Sequence, residues 1–367
     1  MIRQGHISRS QAVVVLWFVL ATKVFLTTPS ALLAEGFTAA WMITAGGAIV
    51  AGLGFIPSVL LVQRFGGQKP LPQAADEAGG LVLGKVFGLS AVGLLLVILA
   101  LSLRQFAESL VIGILPRTPV EVIVLTFVLL LGYTAYAGLE SIARLAVFLS
   151  PWLLLVFLFI AGGELQDVDL RRLHPLPGPG LSVVAVRALV RSSLYAELLV
   201  LPVLFPYLRE RSEAIPAGVW AVGLAAVLLT GTQIIFTGSF DVAQSERFSF
   251  PALSLARTLG GGRLVTRADA AFAFLWTFAA AVGLSVLLWA VTTLLAETLR
   301  LPDHRPLVAP LTSIAAAAAL APGGLAEAVA LDFGYVRYWG WVVAFALPLG
   351  LWGLAVARGK RGDPDDQ

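Results

Sequence analysis

The sequence predicts an all-α integral membrane protein of about ten transmembrane helices, with two inverted halves of five and with broken helices 1 and 6. Three observations predict it. The chain of 367 residues is 58% hydrophobic and 13% charged, against about 25% charged in a soluble domain. Its mean hydropathy is +0.89, more than the core of one soluble globule can hide. Its apolar residues gather in ten runs, and crossing a hydrocarbon layer of about 30 Å takes about 20 residues of helix.

The runs lie near residues 10–34, 41–62, 86–115, 119–137, 141–162, 185–208, 217–237, 267–299, 307–321 and 338–357. The first follows Arg3 and Arg9, is too long for a signal core and lacks a small-residue cleavage site, so it reads as a retained helix. The ninth is short and opens at Pro310.

With the N-terminus cytoplasmic, the inner segments carry 13 basic residues: Arg3, Arg9, Arg64, Lys69, Lys85, Arg144, Arg209, Arg211, Arg300, Arg305, Arg358, Lys360 and Arg361. The outer segments carry 8: Arg117, Arg171, Arg172, Arg247, Arg257, Arg263, Arg267 and Arg337. That bias puts both termini in the cytoplasm. The long Pro/Gly-rich connection 163–184 then separates a first repeat, 1–162, from a second, 185–357, and 358–367 is a charged tail without a fold of its own. An odd number of helices per half makes the second half enter the membrane upside down, as in inverted-repeat transporters.

In such carriers the first helix of each half is interrupted, and the freed backbone binds the ligand. The first run contains Thr22, Lys23, Thr27, Thr28 and Pro29, and proline removes a helix donor and opposes the preceding turn. The sixth contains Ser193, Tyr195 and Glu197, followed by Pro202 and Pro206, whose rings free the carbonyls of Leu198 and Pro202. Lys23 lies about 20 Å along its helix, too deep to snorkel comfortably. It either holds a ligand carboxylate or a transported proton, or pairs structurally with Glu108 or Glu197.

Arg104 and Glu108 stand at i, i+4 and form either a mutual pair or part of a gate. Arg191 and Tyr195 share a face at the outer end of the sixth run, as an external gate or carboxylate clamp, while Arg187 snorkels. Glu197 is a candidate for a ligand amine or a proton. Glu297 ends the eighth helix near cytoplasmic water, and Glu140 with Arg144 anchors a turn.

Several chemistries are disfavoured. There is no cysteine, and the 3 histidines lie in tails or loops, so neither a thiolate nor an imidazole metal cluster is expected, and no cofactor. The basic residues form no continuous stripe for nucleic acid. No nucleotide-binding glycine pattern or Ser-His pair is present, and Gly260 to Gly262 read as an external turn. The chain is not expected to be an enzyme.

Four local patterns resemble a known family. They are Ile7-Ser8 and Gln11, with Pro29 and Trp41; Arg104-Gln105-Phe106-Ala107-Glu108 with Leu115-Pro116 and Thr118-Pro119; Gly138, Glu140 and Ala143-Arg144 with Pro151; and Pro251, Arg257, Gly262, Arg267, Asp269, Phe272 and Trp276. In this order over the whole chain they are similar to the permease-like B subunits of GerA-type spore germinant receptors, in the amino acid–polyamine–organocation superfamily. The resemblance implies a pocket between broken helices 1 and 6 for a small germinant, commonly an amino acid. It also implies the inner membrane of a bacterial endospore, beside an A-type and a lipoprotein C-type subunit. Such relatives usually have small residues where helix 1 breaks. Here Thr22-Lys23-Val24 stands there, and the Lys23 ammonium is expected to substitute for the backbone grip. The alternative reading is an ion-coupled secondary amino-acid transporter.

Overall fold

The protein is described from a computed structural model over residues 6–67, 69–165, 168–176, 178–240, 248–259 and 268–362. Arg247, Gly260 to Gly262, Arg263, Arg267 and residues 363–367 lie outside the described residues.

All ten runs are helical. Span 1 occupies 9–36, span 2 40–64, span 3 Leu81–Gly113, span 4 Val120–Ala137 and span 5 Leu139–Glu164. Span 6 covers Leu181–Tyr207 and span 7 Arg211–Ser239. Span 8 is Ala268–Leu299, span 9 Arg305–Leu320, and span 10 covers Leu325–Ala357. Among the described residues, 8 helical stretches are long and apolar enough to cross a membrane by length and composition. Span 9, with 16 residues, is shorter, and the opening helix of span 1 stops after 13.

Local chemistry sets the ends. Ser8 caps span 1 through a reciprocal pair with Gln11, the Ser8 hydroxyl accepting from the Gln11 amide and the Gln11 side chain accepting from the Ser8 amide. Gly138, at φ 96°, is the single residue between spans 4 and 5, a left-handed position where a Cβ would be strained. Span 1 is α-helical to Ala21, tightens into a 3-10 turn over Thr22–Phe25, extends at Leu26 and restarts as the half-helix Thr28–Gly36 with Pro29 in its first turn. Proline there loses no bond, because a first-turn amide has no helical partner anyway.

Span 6 is α-helical over Leu181–Arg191, becomes 3-10 over Ser192–Leu199 with Tyr195 at a kink, and resumes at Val200–Leu204. The interruption therefore precedes Pro202 and Pro206 instead of centring on them. Pro202 acts one turn upstream, where its ring opposes the Leu198 carbonyl.

Four expectations change. Pro310 lies inside span 9, which starts five residues earlier at Arg305 with Pro306 in its first turn. Span 10 starts at Leu325, well before residue 338, and encloses Arg337, which is 1% exposed and so does not belong to the outer loops. The connection 238–266 holds a helix at Pro251–Leu259, and an amphipathic helix, Leu71–Gly79, lies between spans 2 and 3. The start of the tail is tied down, Gly362 donating to the Arg64 carbonyl at 3.1 Å and Lys360 to the Glu77 carbonyl at 2.7 Å.

Both described chain ends lie on one face, since the Ile7 amide donates to the Tyr207 carbonyl at 2.9 Å and Gly362 rests on Arg64. We call this the terminal face and the opposite one the far face. Spans 6 and 8 are central, with 89% of their most apolar stretch buried, whereas span 5 has 12% and is peripheral. Gly283 of span 8 lets the break in span 1 come close: a Cβ there would stand 2.6 Å from Thr22 Oγ1 and 3.0 Å from the Phe18 carbonyl oxygen.

Gly283→Ala is expected to lower stability by about 1–3 kcal/mol, because the backbone of span 1 must shift. Gly93→Ala, where nothing lies within 4 Å, is the control, and thermal unfolding in detergent should show it unchanged or more stable.

Candidate functional site

The two interruptions meet. Lys23, in the 3-10 turn of span 1, places Nζ 2.9 Å from Glu197 Oε2 in the 3-10 stretch of span 6, and also donates to the Leu20 carbonyl at 3.4 Å. Glu197 Oε1 accepts from Arg337 Nη2 at 2.8 Å, and Arg337 Nε donates to Asp332 Oδ1 at 3.1 Å, both from span 10. Asp332 Oδ2 accepts from Gln105 Nε2 of span 3 at 3.0 Å, and Gln105 Oε1 accepts from Thr27 Oγ1 at 2.7 Å, which returns to span 1. Thr27, Gln105, Asp332, Arg337, Glu197 and Lys23 thus close a ring through four spans, none more than 5% exposed. Its charges cancel, two cations against two carboxylates. That balance is what a low-dielectric interior demands, since each unpaired ion there costs several kcal/mol.

Local backbone puts each group in place. Asp332–Val336 forms a π turn. In an α-helix, residues five apart point about 140° away from one another, but a π turn, with its i→i+5 bonds, stacks them on one face. Asp332 can therefore grip Arg337. The same guanidinium donates through Nη1 to the Ser193 carbonyl at 2.9 Å, and the Ser193 hydroxyl reaches the Val190 and Arg337 carbonyls. Span 10 is thereby stapled to the broken stretch of span 6.

The other expected residues divide. Arg104 and Glu108 bond each other at 3.0 Å, and Arg104 Nη1 donates to the Ala319 carbonyl of span 9 at 3.4 Å. They are a mutual pair turned away from the ring, and Glu108 does not meet Lys23. Arg191 serves the far face: its guanidinium forks onto Glu35 with Nε–Oε2 at 2.8 Å, donates to the Phe333 carbonyl at 2.8 Å and stacks on the Phe333 ring at 5.1 Å. Arg187 reaches Glu35 at 3.2 Å. Thr22 turns aside, its hydroxyl donating to the Phe18 carbonyl at 2.6 Å. Tyr195 is buried at the kink with its hydroxyl unpartnered. Thr28 is buried in the first turn of the half-helix, and the Pro29 carbonyl accepts from Gln233 Nε2 of span 7 at 3.3 Å.

Sequence reasoning missed Asp332, Arg337, Gln105 and Glu35. The charges at 332 and 337 precede the apolar run and sit at a spacing that no α-helical face joins, so they read as loop. Behind the span 1 break, Val24, Phe25, Phe157, Ala161, Glu164, Thr232, Ile235, Ala252 and Leu255 line a small, mostly apolar pocket.

A family model described as "Spore germination protein" matches residues 6–323. Spore germination protein A2 of Bacillus subtilis (strain 168) is 26% identical over 233 residues, 63% of this chain and 63% of that protein. Spore germination protein KB of the same organism is 25% identical over 206 residues, 54% of each. The match therefore spans less than two thirds of either relative. Among solved structures, MhsT in complex with L-phenylalanine superposes with a TM-score of 0.74 at 16% identity, covering 99% of this chain and 92% of that one. A nucleobase-cation-symport-1 family transporter, Mhp1, in a closed conformation with bromovinylhydantoin bound, gives 0.67 at 13% identity, covering 96% and 94%. At such identities the likeness establishes the fold alone: an inverted-repeat transporter fold.

The ring orders two substitutions. Arg337→Met leaves Asp332 without a cation and Glu197 with Lys23 alone, and is expected to cost about 3–5 kcal/mol, whereas Lys23→Met leaves both carboxylates still held by Arg337 and should cost less. Thermal unfolding of the two purified variants checks the order, and its reversal would contradict the ring.

Proposed function

The chain belongs to the spore germination protein family, and from that premise we propose that it is the permease-like subunit of a germinant receptor, binding a small zwitterion where spans 1 and 6 break. The observation that carries this reading is the Lys23–Glu197 contact between the two interruptions, 2.9 Å long and buried. An amino acid is the ligand class that such a pair suits, since it brings one ammonium and one carboxylate and leaves the charge balance of the ring at zero. Its ammonium would replace the Lys23 ammonium on Glu197. Its carboxylate would take the released Lys23 and the first-turn amides at Thr28, where the half-helix dipole is positive.

Separation of Lys23 from Glu197 would loosen span 1 from span 6 and shift the molecule toward a second packing. A-type and C-type receptor subunits would read that shift in the spore inner membrane, with both termini cytoplasmic. The proposed role is binding and signalling, without chemistry and without a cofactor. Thr27, Ser193 and Tyr195 would shape the cleft, while Arg191 with Glu35 would close its outer side. The superposition with transporter structures also favours a second reading, an ion-coupled amino-acid carrier.

A panel of amino acids should raise the thermal unfolding temperature of the protein in detergent, and Lys23→Met should weaken the apparent affinity tenfold or more, about 1.4 kcal/mol. Undiminished stabilisation in the variant would remove Lys23 from the site. In proteoliposomes the proposed receptor subunit gives no counterflow of the stabilising amino acid, whereas flux would establish the carrier.

A further inference from the structure

Span 8 carries a second set of buried polar groups that the ring does not use. Trp289, Thr293 and Glu297 follow one another at steps of four, hence on one helix face about 6 Å apart along the axis. Among the described residues, Trp289 Nε1, Thr293 Oγ1 and Glu297 Oε2 are all buried and have no hydrogen-bond partner. Trp289 is 0% and Thr293 3% exposed, while Glu297 is partly exposed with its Oε2 turned inward. Three successive orphans on one face contrast with neighbouring hydroxyls of this helix, where Thr292 and Thr298 bond their own backbone at 2.8 and 2.7 Å and Ser285 bonds Thr134 at 2.7 Å. Buried polar atoms are ordinarily satisfied, and a set that is not indicates a missing partner.

We propose that this stretch of span 8, beside the terminal face, is a binding site for a small monovalent cation. A carboxylate oxygen with no cation paired to it among the described residues supplies the negative charge, and the Thr293 hydroxyl one turn deeper supplies a second oxygen. The Trp289 indole N–H cannot ligate a cation but donates to a water in its shell. One carboxylate is too few for the oxygen-rich shell a calcium ion requires, and it repels anions. The chemistry is shared by Na⁺, K⁺ and hydronium.

The surrounding charges leave Glu297 to an outside cation. Arg300 is held by Asp76 at 2.9 Å, and His304 Nδ1 stands 3.3 Å from Asp303. Tyr207, at the end of span 6, lies within electrostatic reach of both Glu297 and Asp303. The position also has a readout. The Trp289 ring meets Tyr207 edge to face at 5.5 Å, and the Tyr207 carbonyl holds the Ile7 amide at 2.9 Å. A cation beneath Trp289 therefore acts on the half of span 6 beyond its break and on the chain's beginning. The inference is independent of what binds between spans 1 and 6.

The test uses the full chain in lipid nanodiscs, without any amino acid, followed by tryptophan fluorescence and thermal unfolding. Chlorides of Na⁺, K⁺ and choline are compared at equal ionic strength, and the choline series is repeated from about pH 8 to about pH 5.5, a range chosen to bring hydronium into play. The expected result is a saturable rise of about 2 °C or more with Na⁺ or K⁺ over choline. Where hydronium is the occupant, the same rise appears on acidification in choline. Either rise vanishes in Glu297→Gln, and Thr293→Val moves its midpoint by about tenfold in cation concentration. Wild-type curves alike in all three salts and unmoved by acidification in choline, or a response that Glu297→Gln keeps, would overturn the proposal. Should Glu297→Gln not fold, an unmoved midpoint in Thr293→Val overturns it equally.

Discussion

Four charges in a medium that tolerates none decide how this molecule is put together. Lys23, Glu197, Arg337 and Asp332 each carry a solvation penalty that only another of the four removes. The spans that own them must therefore meet at one depth and in one register. Hydrophobic attraction cannot impose such a register, because lipid tails are as apolar as the side chains they would exchange with. The ring imposes it instead, joining spans 1, 6 and 10 by ionic contacts and span 3 through the Gln105 amide. The 3-10 breaks and the π turn are local departures from α-helix that bring these groups within reach.

The same ring defines what it can admit. Its internal sum is zero, so a guest of net charge would leave one ion uncompensated, whereas a zwitterion would exchange partners within the set. On the proposed reading Lys23 is both a structural cation and a tethered competitor for the guest's own ammonium. A competitor of this kind lowers affinity by the fraction of time it occupies Glu197, and that fraction sets how strongly binding shifts the packing.

What the sequence made legible was whatever is local. Hydropathy marked all ten spans, prolines marked the two interruptions, and a lone Lys23 or Glu197 in an apolar run announces itself. The pair itself needed the fold to choose Glu197 over Glu108. Gln105 stayed hidden between two charged neighbours: Arg104 and Glu108 share the face turned to span 9, and Gln105, about 100° round the helix, faces the ring. Asp332 and Arg337 were illegible because an i, i+5 pair makes sense only once a π turn is present. The family match, ending at residue 323, stops short of both.

Unequal links around the ring say where it would yield. Between spans 1, 6 and 10 there are ionic contacts at the ring and, nearer the far face, a second tie in which Arg191 of span 6 joins Glu35 of span 1 and the Phe333 carbonyl of span 10. Among the described residues, span 3 holds to the ring through one neutral amide, whose bonds to Thr27 and Asp332 contribute less than contacts between full charges. Spans 1, 6 and 10 are therefore latched to one another more strongly than any of them is to span 3. A ligand that separated Lys23 from Glu197 would open the latch at the ring while leaving the far-face tie intact. The motion would then be a hinge about Arg191 and Glu35, with its largest excursion at the terminal face, where Tyr207 and Trp289 sit.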